Sequence, residues 1–323
     1  MPKIATAPLG AFLLTMVLVL GTGASPCYPD HATINGPVLT RILHDGNLRV
    51  GVNPHFEPFS YAQTSPHRSA TGAHIDARVG IDIDIAALLA RELGVDLEIV
   101  VPDRFDQLIP MLQAGKIDIA IAALSRVFER ALRVDFSDPY FHTGFSILLN
   151  VVKGYPLGIG DAQSFRELKD SLQRVDKESQ LVIAVTRNKS AAGFIRGYFP
   201  QAKIKAYETN EAAAEAVLQG RDLPGSPQIM VHDETFLKLW AGILPRKERQ
   251  KITLFPKPFR SDTYGFAVAK GNLAFLQILN LFISDKLTAE EHMLKFTRSR
   301  HYRFIPGLGI EPIDTETSDH GNL

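Results

Sequence analysis

The chain has 323 residues, 45% apolar and 22% charged, which suits two soluble domains of ordinary size and excludes disorder, collagen-like repeats and a multi-span membrane protein. Thirty-five basic side chains balance thirty-five acidic ones, so the basic footprint of general nucleic-acid binding is missing. One cysteine, Cys27, leaves no intrachain disulfide or Cys-rich zinc site, and the ten histidines show no H-E-x-x-H spacing; no metal or other cofactor is expected.

Lys3, an apolar run from Leu9 to Leu20 and the small residues Gly21 to Ala24 form a secretory signal layout. The run spans roughly 18 Å as a helix, short of the ~30 Å hydrocarbon core, which disfavours a permanent anchor. Thr22 and Ala24 suit a peptidase site, predicting a signal peptide over 1–24 and a mature chain from Ser25. Cys27 also fits a lipoprotein signal, but Pro26 before it is a poor match; an unpaired cysteine in a tail over 25–42 is the favoured reading.

Periodicity then predicts strand Leu48–Val52, a long polar loop, helix Asp84–Leu93 stopped by Gly94, strand Leu97–Val101, helix Asp106–Ala114 closed by Gly115, and strand Ile117–Ala122. This βαβαβ order implies parallel strands. It recurs as strand Leu181–Val185, helix Ala191–Tyr198, strand Ile204–Tyr207, helix Glu211–Leu218, strand Ile229–Val231 and a helix from Asp233. Between the repeats lie a β-rich run, Phe145–Val152, and a capping box of Ser164 and Glu167. Strand Tyr264–Ala269 and a helix bearing Leu276, Leu279 and Phe282 follow. The fold class is therefore α/β with two lobes. Lobe 1 is assigned to 43–148 and 262–304, lobe 2 to 149–261, and a loose tail to 305–323.

Ligands of open α/β sheets bind outside the carboxyl ends of the strands. Those ends carry Asn53–Phe59, Ser125–Arg130, Asn188–Ser190 and His232–Glu234. An arginine fork on one lobe and a carboxylate on the other suit a small zwitterion such as an α-amino acid.

Three stretches are specific when taken together: Val79–Ala86 (VGIDIDIA), Leu108–Leu112 leading to Gly115-Lys116-Ile117-Asp118, and Glu129-Arg130 followed by Asp135–Tyr140 (DFSDPY). In order and spacing, from Leu43 to Tyr302, they resemble the polar amino acid group of ABC-transporter solute-binding proteins. The resemblance implies a type II periplasmic binding protein fold, each lobe a mostly parallel sheet flanked by helices, with two hinge crossings. It implies a monomeric, periplasmic, non-enzymatic protein that delivers an amino acid to an inner-membrane permease. By position, Arg130 resembles the clamp on the ligand carboxylate, Ser125 the hydroxyl beside it, and Asp233 the acid that receives the α-ammonium. Ser190 and Lys189 occupy the second-lobe turn, Phe56 and Phe105 match the walls, and the Ala123 carbonyl matches an ammonium acceptor.

The chain departs from the pattern at Asn188 and Lys189, where glycine and threonine are usual, and in its extended loops 62–78 and 221–227. Lys189 adds a positive charge that would suit a second acid on the ligand. Phe56 and Phe105 also read as core residues, and Asp233 also reads as a helix N-cap. Three successive residues, His232, Asp233 and Glu234, are not expected to converge on one point. The competing function is cyclohexadienyl dehydratase, which shares the fold; Ala192 stands where that enzyme has its catalytic glutamate, and alanine transfers no proton.

Overall fold

The computed structural model describes residues 36–63, 77–187, 190–219, 225–287, 302–305 and 309–312. The segment read as a signal peptide, Cys27, Lys189 and most of both extended loops lie outside them. In chain order, α1 (Pro37–Asp45) leads into β1 (Asn47–Gly51), then β2 (Tyr61–Gln63) and β3 (Ala77–Val79), α2 (Ile81–Leu93), β4 (Asp96–Val100), α3 (Leu108–Gln113), β5 (Ile119–Ala120) and α4 (Phe128–Ala131). A 17-residue strand β6 (Val134–Asn150) follows, then α5 (Val151–Gly154), α6 (Phe165–Val175), β7 (Val182–Thr186), α7 (Ser190–Tyr198), β8 (Lys203–Tyr207), α8 (Asn210–Gln219), β9 (Ile229–Asp233) and α9 (Glu234–Gly242). The chain continues through α10 (Arg246–Arg249), β10 (Ile252–Leu254), β11 (Arg260–Ala269) and α11 (Leu273–Phe282) to a hairpin of β12 (Tyr302–Ile305) and β13 (Gly309–Pro312).

Nine strands form one mixed sheet in the order β4-β1-β5-β11-β6-β9-β7-β8, with β10 on β6. Its ends are parallel: β1 with β4 and β5, and β7 with β8 and β9. Its middle is antiparallel, because β6 and β11 run through both halves and pair from Arg260 opposite Phe145 to Ala269 opposite Val134. These two strands are the crossings between lobes.

Side chains alternate across the sheet as the pleat requires. Leu148, Ala184 and Met230 join a cluster with Val50, Ile85 and Trp240, while Ile147, Leu149, Ile183, Val185 and Val231 join Leu168, Ile195 and Phe199 on the other face. Strands β7 and β9 are buried at every position, which is why each opens with an unbroken apolar run, Val182–Val185 and Ile229–Val231.

Several elements differ from their predicted extents. Helix α2 starts at Ile81, three residues early. Gly80 before it has φ 129°, and a Cβ there would collide with the Phe59 carbonyl, so only glycine fits. At its other end Gly94, in the left-handed region, donates to Ala90 and Arg91 as a C-cap. Strand β5 is two residues long, not six, and β6 begins eleven residues before the predicted Phe145. The predicted loop 62–78 is flanked by antiparallel β2 and β3. Ser164 caps α6 by accepting from Glu167 N at 3.3 Å, but Glu167 reaches the backbone of Gln163 (2.9 Å), one residue upstream of the expected partner.

Candidate functional site

Four strand ends meet at one pocket. The loop after β1 brings Phe56, the turn after β5 brings Ala123 and Ser125, the start of α7 brings Ser190 and Ala191, and the end of β9 brings His232 and Asp233. Phe105, Phe145 and Tyr264 complete a wall around about 360 Å³, counting the open mouth. Six predicted residues, Phe56, Phe105, Ala123, Ser125, Ser190 and Asp233, therefore share one cavity. Arg130 stands beside it: its Nη1 donates to the Ser125 carbonyl at 3.2 Å, and its Cζ lies 5.4 Å from the centroid of the Phe105 ring.

The turn that holds Ser125 is braced from both sides. Ala123, at φ 47°, donates its N–H to Tyr140 Oη at 3.0 Å, and Tyr140 donates to Asp82 Oδ1 at 2.7 Å. Burial raises the Asp82 carboxyl to about 7. Ser125 itself bridges to Tyr264 on β11. This gives the VGIDIDIA motif a mechanical role, because its first aspartate anchors the tyrosine that positions the ligand-side turn.

Asp233 is 3% exposed and surrounded by donors. Its Oδ1 accepts from the backbone of Thr235 (2.8 Å) and Phe236 (3.4 Å), the N-cap of α9; its Oδ2 accepts from Thr143 and Tyr264, both at 2.6 Å. Burial nonetheless lifts its pKa to about 6. Phe56 is at once wall and core: it packs on Phe59 at 5.1 Å and edge-on to His232 and Tyr264.

His232 and Asp233 both line the pocket, but the three successive residues do not converge on one point. His232 Nε2 pairs with Asn210 Oδ1 at 3.0 Å, while Glu234 turns away to Lys238 (2.9 Å). No group of metal-binding side chains occurs among the described residues. Ala192 packs on the apolar cluster of the second half and does not line the pocket.

Two polar residues escaped the sequence reading. Thr143 on β6 bonds Asp233, and Asp262 on β11 accepts from Ser125 Oγ at 2.7 Å. Neither sits at the end of a parallel strand, where the search for ligand residues was directed.

A mixed sheet crossed by two strands, with a largely apolar pocket carrying a few polar groups between its halves, defines a two-lobed binding protein of the type II periplasmic fold. The chain belongs to the bacterial extracellular solute-binding proteins, family 3, whose model matches residues 48–298. It is 31% identical to an ABC transporter glutamine-binding protein of Bacillus subtilis over 62% of this chain and 65% of that one. A cyclohexadienyl dehydratase of Pseudomonas aeruginosa is 36% identical, over 33% of this chain and 35% of the enzyme. The chain thus spans less than two thirds of either relative. Among solved structures, an ancestral amino acid-binding protein described as a precursor of cyclohexadienyl dehydratase superposes with TM-score 0.61 at 28% identity, covering 80% of this chain and 98% of that one. A binding component from Wolinella succinogenes complexed with lysine gives 0.62 at 27% identity, covering 79% and 97%.

Proposed function

We propose that the protein is exported and captures an amino acid, or a similar small zwitterion, between its lobes for uptake by an ABC-transporter permease. The observation that carries this reading is that Asp233 and Ser125 line one pocket, with the Arg130 guanidinium beside it on the Ser125 carbonyl. The ligand carboxylate meets Arg130 and Ser125, and its ammonium meets Asp233. The Asp233 lone pairs are all engaged, but Thr143 has a second partner in Thr235 Oγ1 at 3.4 Å. Its hydroxyl can turn there when an ammonium arrives. Closure by hinge motion at β6 and β11 then removes water from the contacts. Lys189, in the second-lobe turn, is proposed as a further contact. No helix among the described residues is long and apolar enough to cross a membrane, and the family model is one of extracellular proteins.

A dehydratase reading draws on the partial likeness to that enzyme. It lacks a proton-transfer group at Ala192, so the binding role is preferred. A thermal-shift screen against the twenty standard amino acids and prephenate tests both. A ligand at 100 times its Kd stabilises the fold by about 2.7 kcal/mol. Stabilisation by an amino acid without prephenate turnover is expected; turnover of prephenate by the wild type, absent from Arg130→Ala, would reverse the assignment.

A further inference from the structure

Ser125 has one hydroxyl proton to donate, and Asp262 holds it. Ser125 Oγ donates to Asp262 Oδ2 at 2.7 Å, and Ser190 Oγ donates in turn to Ser125 Oγ at 2.8 Å. The relay crosses the cleft from the start of α7 to the crossing strand β11. Asp262 Oδ1 accepts from Thr263 N at 2.9 Å, which fixes the carboxylate in place. A protein carboxylate therefore sits on the hydroxyl that the proposed ligand carboxylate would use, within the field of the same arginine.

The charges around Asp262 come from several elements. Arg130 faces it from α4 and Arg260 from its own strand, where the guanidinium lies 4.2 Å over the Phe194 ring; both favour ionisation. Asp233, at the end of β9, and Tyr264, two residues further along β11, both sense its charge. Glu129 acts on Arg130, and His232 shares the pocket wall. The net direction is upward, because burial outweighs the hydrogen bonds from Ser125 and Thr263 and the two arginines.

We propose that Asp262 is an internal competitor for the carboxylate subsite, so that a ligand carboxylate takes over the Ser125 hydroxyl and drives Asp262 to bind a proton. Two carboxylates within one small site do not both stay ionised. One proton is taken from solvent onto Asp262 per ligand bound, and no other bond changes. Because the bound form holds this proton more tightly than the free form, affinity is greatest below the free-state pKa and falls, by up to tenfold per pH unit, as pH rises toward the bound-state pKa. Asp262 thereby sets how strongly the cleft holds a carboxylate and ties capture to the acidity outside the cell.

The inference rests on the amino acid reading of the cleft, and its test separates the two. The twenty standard amino acids are screened by thermal shift. The one that stabilises the wild type most is titrated calorimetrically into wild type, Asp262→Asn, Asp262→Ala and Arg130→Ala, at about pH 7 and about pH 8, both above the value near 6 at which Asp233 ionises, in two buffers of different ionisation enthalpy. Wild type should take up a proton and bind tighter at the lower pH. Both Asp262 variants should bind at least tenfold tighter than wild type at the higher pH, with no proton uptake. Absence of proton uptake by wild type, which needs no variant to fold, overturns the inference. Weaker binding by both variants also overturns it and makes Asp262 a contact for a ligand cation. If no amino acid binds any of the four proteins, the reading of the cleft fails and the inference fails with it; if wild type binds, Arg130→Ala does not, and the Asp262 variants match wild type, the inference alone fails.

Discussion

Asp233 has a structural task and a proposed binding task, and substitution can separate them. Asp233→Ala removes the N-cap of α9, worth about 1 kcal/mol, and strips Tyr264 of its buried acceptor, worth about 1–3 kcal/mol. Thr143 escapes most of that penalty by turning to Thr235. Relief of the buried charge, whose burial holds the pKa near 6, offsets part of the loss. The net cost is about 1–3 kcal/mol, out of a typical stability of about 5–15 kcal/mol, so the variant folds. Binding should fall much further, by about 2–5 kcal/mol, or roughly thirty-fold to several thousand-fold in Kd, because the ligand ammonium is left buried and unpaired. Asp233→Asn is the sharper probe. It keeps an oxygen for the cap but loses the charge, so urea unfolding should move little while calorimetry shows most of the binding loss. Affinity of Asp233→Asn within about two-fold of wild type, only ~0.4 kcal/mol, would refute the electrostatic role and leave Asp233 as a cap alone.

Arg130→Ala should weaken binding by at least about thirty-fold, and because the first docking point is lost it should reduce the association rate as well, measured by stopped flow. Asp82 titrates at about 7 in the fold against 3.8 as a free side chain, so the fold holds its proton more tightly than the unfolded chain does. Its contribution to stability is full below about pH 4 and is lost as pH rises through about 7, amounting to about 4 kcal/mol; urea unfolding across that window should show a shallower pH slope for Asp82→Asn, and an unchanged slope would disprove the buried-acid assignment. Intact mass of protein taken from the cell envelope should give a chain beginning at Ser25; a chain retaining Met1 in the cytoplasm would argue against export.

The parallel halves of the fold were legible because periodicity and glycine stops are local signals. Leu88 and Leu89 face the core, and Gly94 ends α2 by the capping geometry expected of it. The crossing strands were not legible over their full length. Pro139 and exposed Asp138 and His142 interrupt the apolar pattern of β6, yet its backbone stays extended because β11 pairs along it. The same cause hid part of the site. Ser125, Ser190 and Asp233 sit where a parallel strand ends, a place that sequence order marks, whereas the roles of Thr143 and Asp262 depend on how β6 and β11 align.

That alignment places Asp262 directly opposite Thr143 in the antiparallel ladder. Opposed residues project to the same face of a sheet, so the pair stands together under the cleft and reaches in two directions: Thr143 to Asp233, and Asp262 to Ser125. One crossing strand thus touches the proposed ammonium subsite and the other the proposed carboxylate subsite. A hinge rotation that shifts β6 against β11 changes the distance between the two polar groups that tune those subsites. If the lobes close on a zwitterion as proposed, ligand charge and closure are coupled through this cross-strand pair. Exchanging Thr143 for Val, which keeps the β-branched shape and removes the hydroxyl, should leave Asp233 one donor short and raise its pKa further, so that zwitterion binding weakens most just above about pH 6, where Asp233 is ionised in the wild type and still neutral in the variant. Binding by Thr143→Val that follows the same pH profile as wild type would show that the ladder pair carries no such coupling.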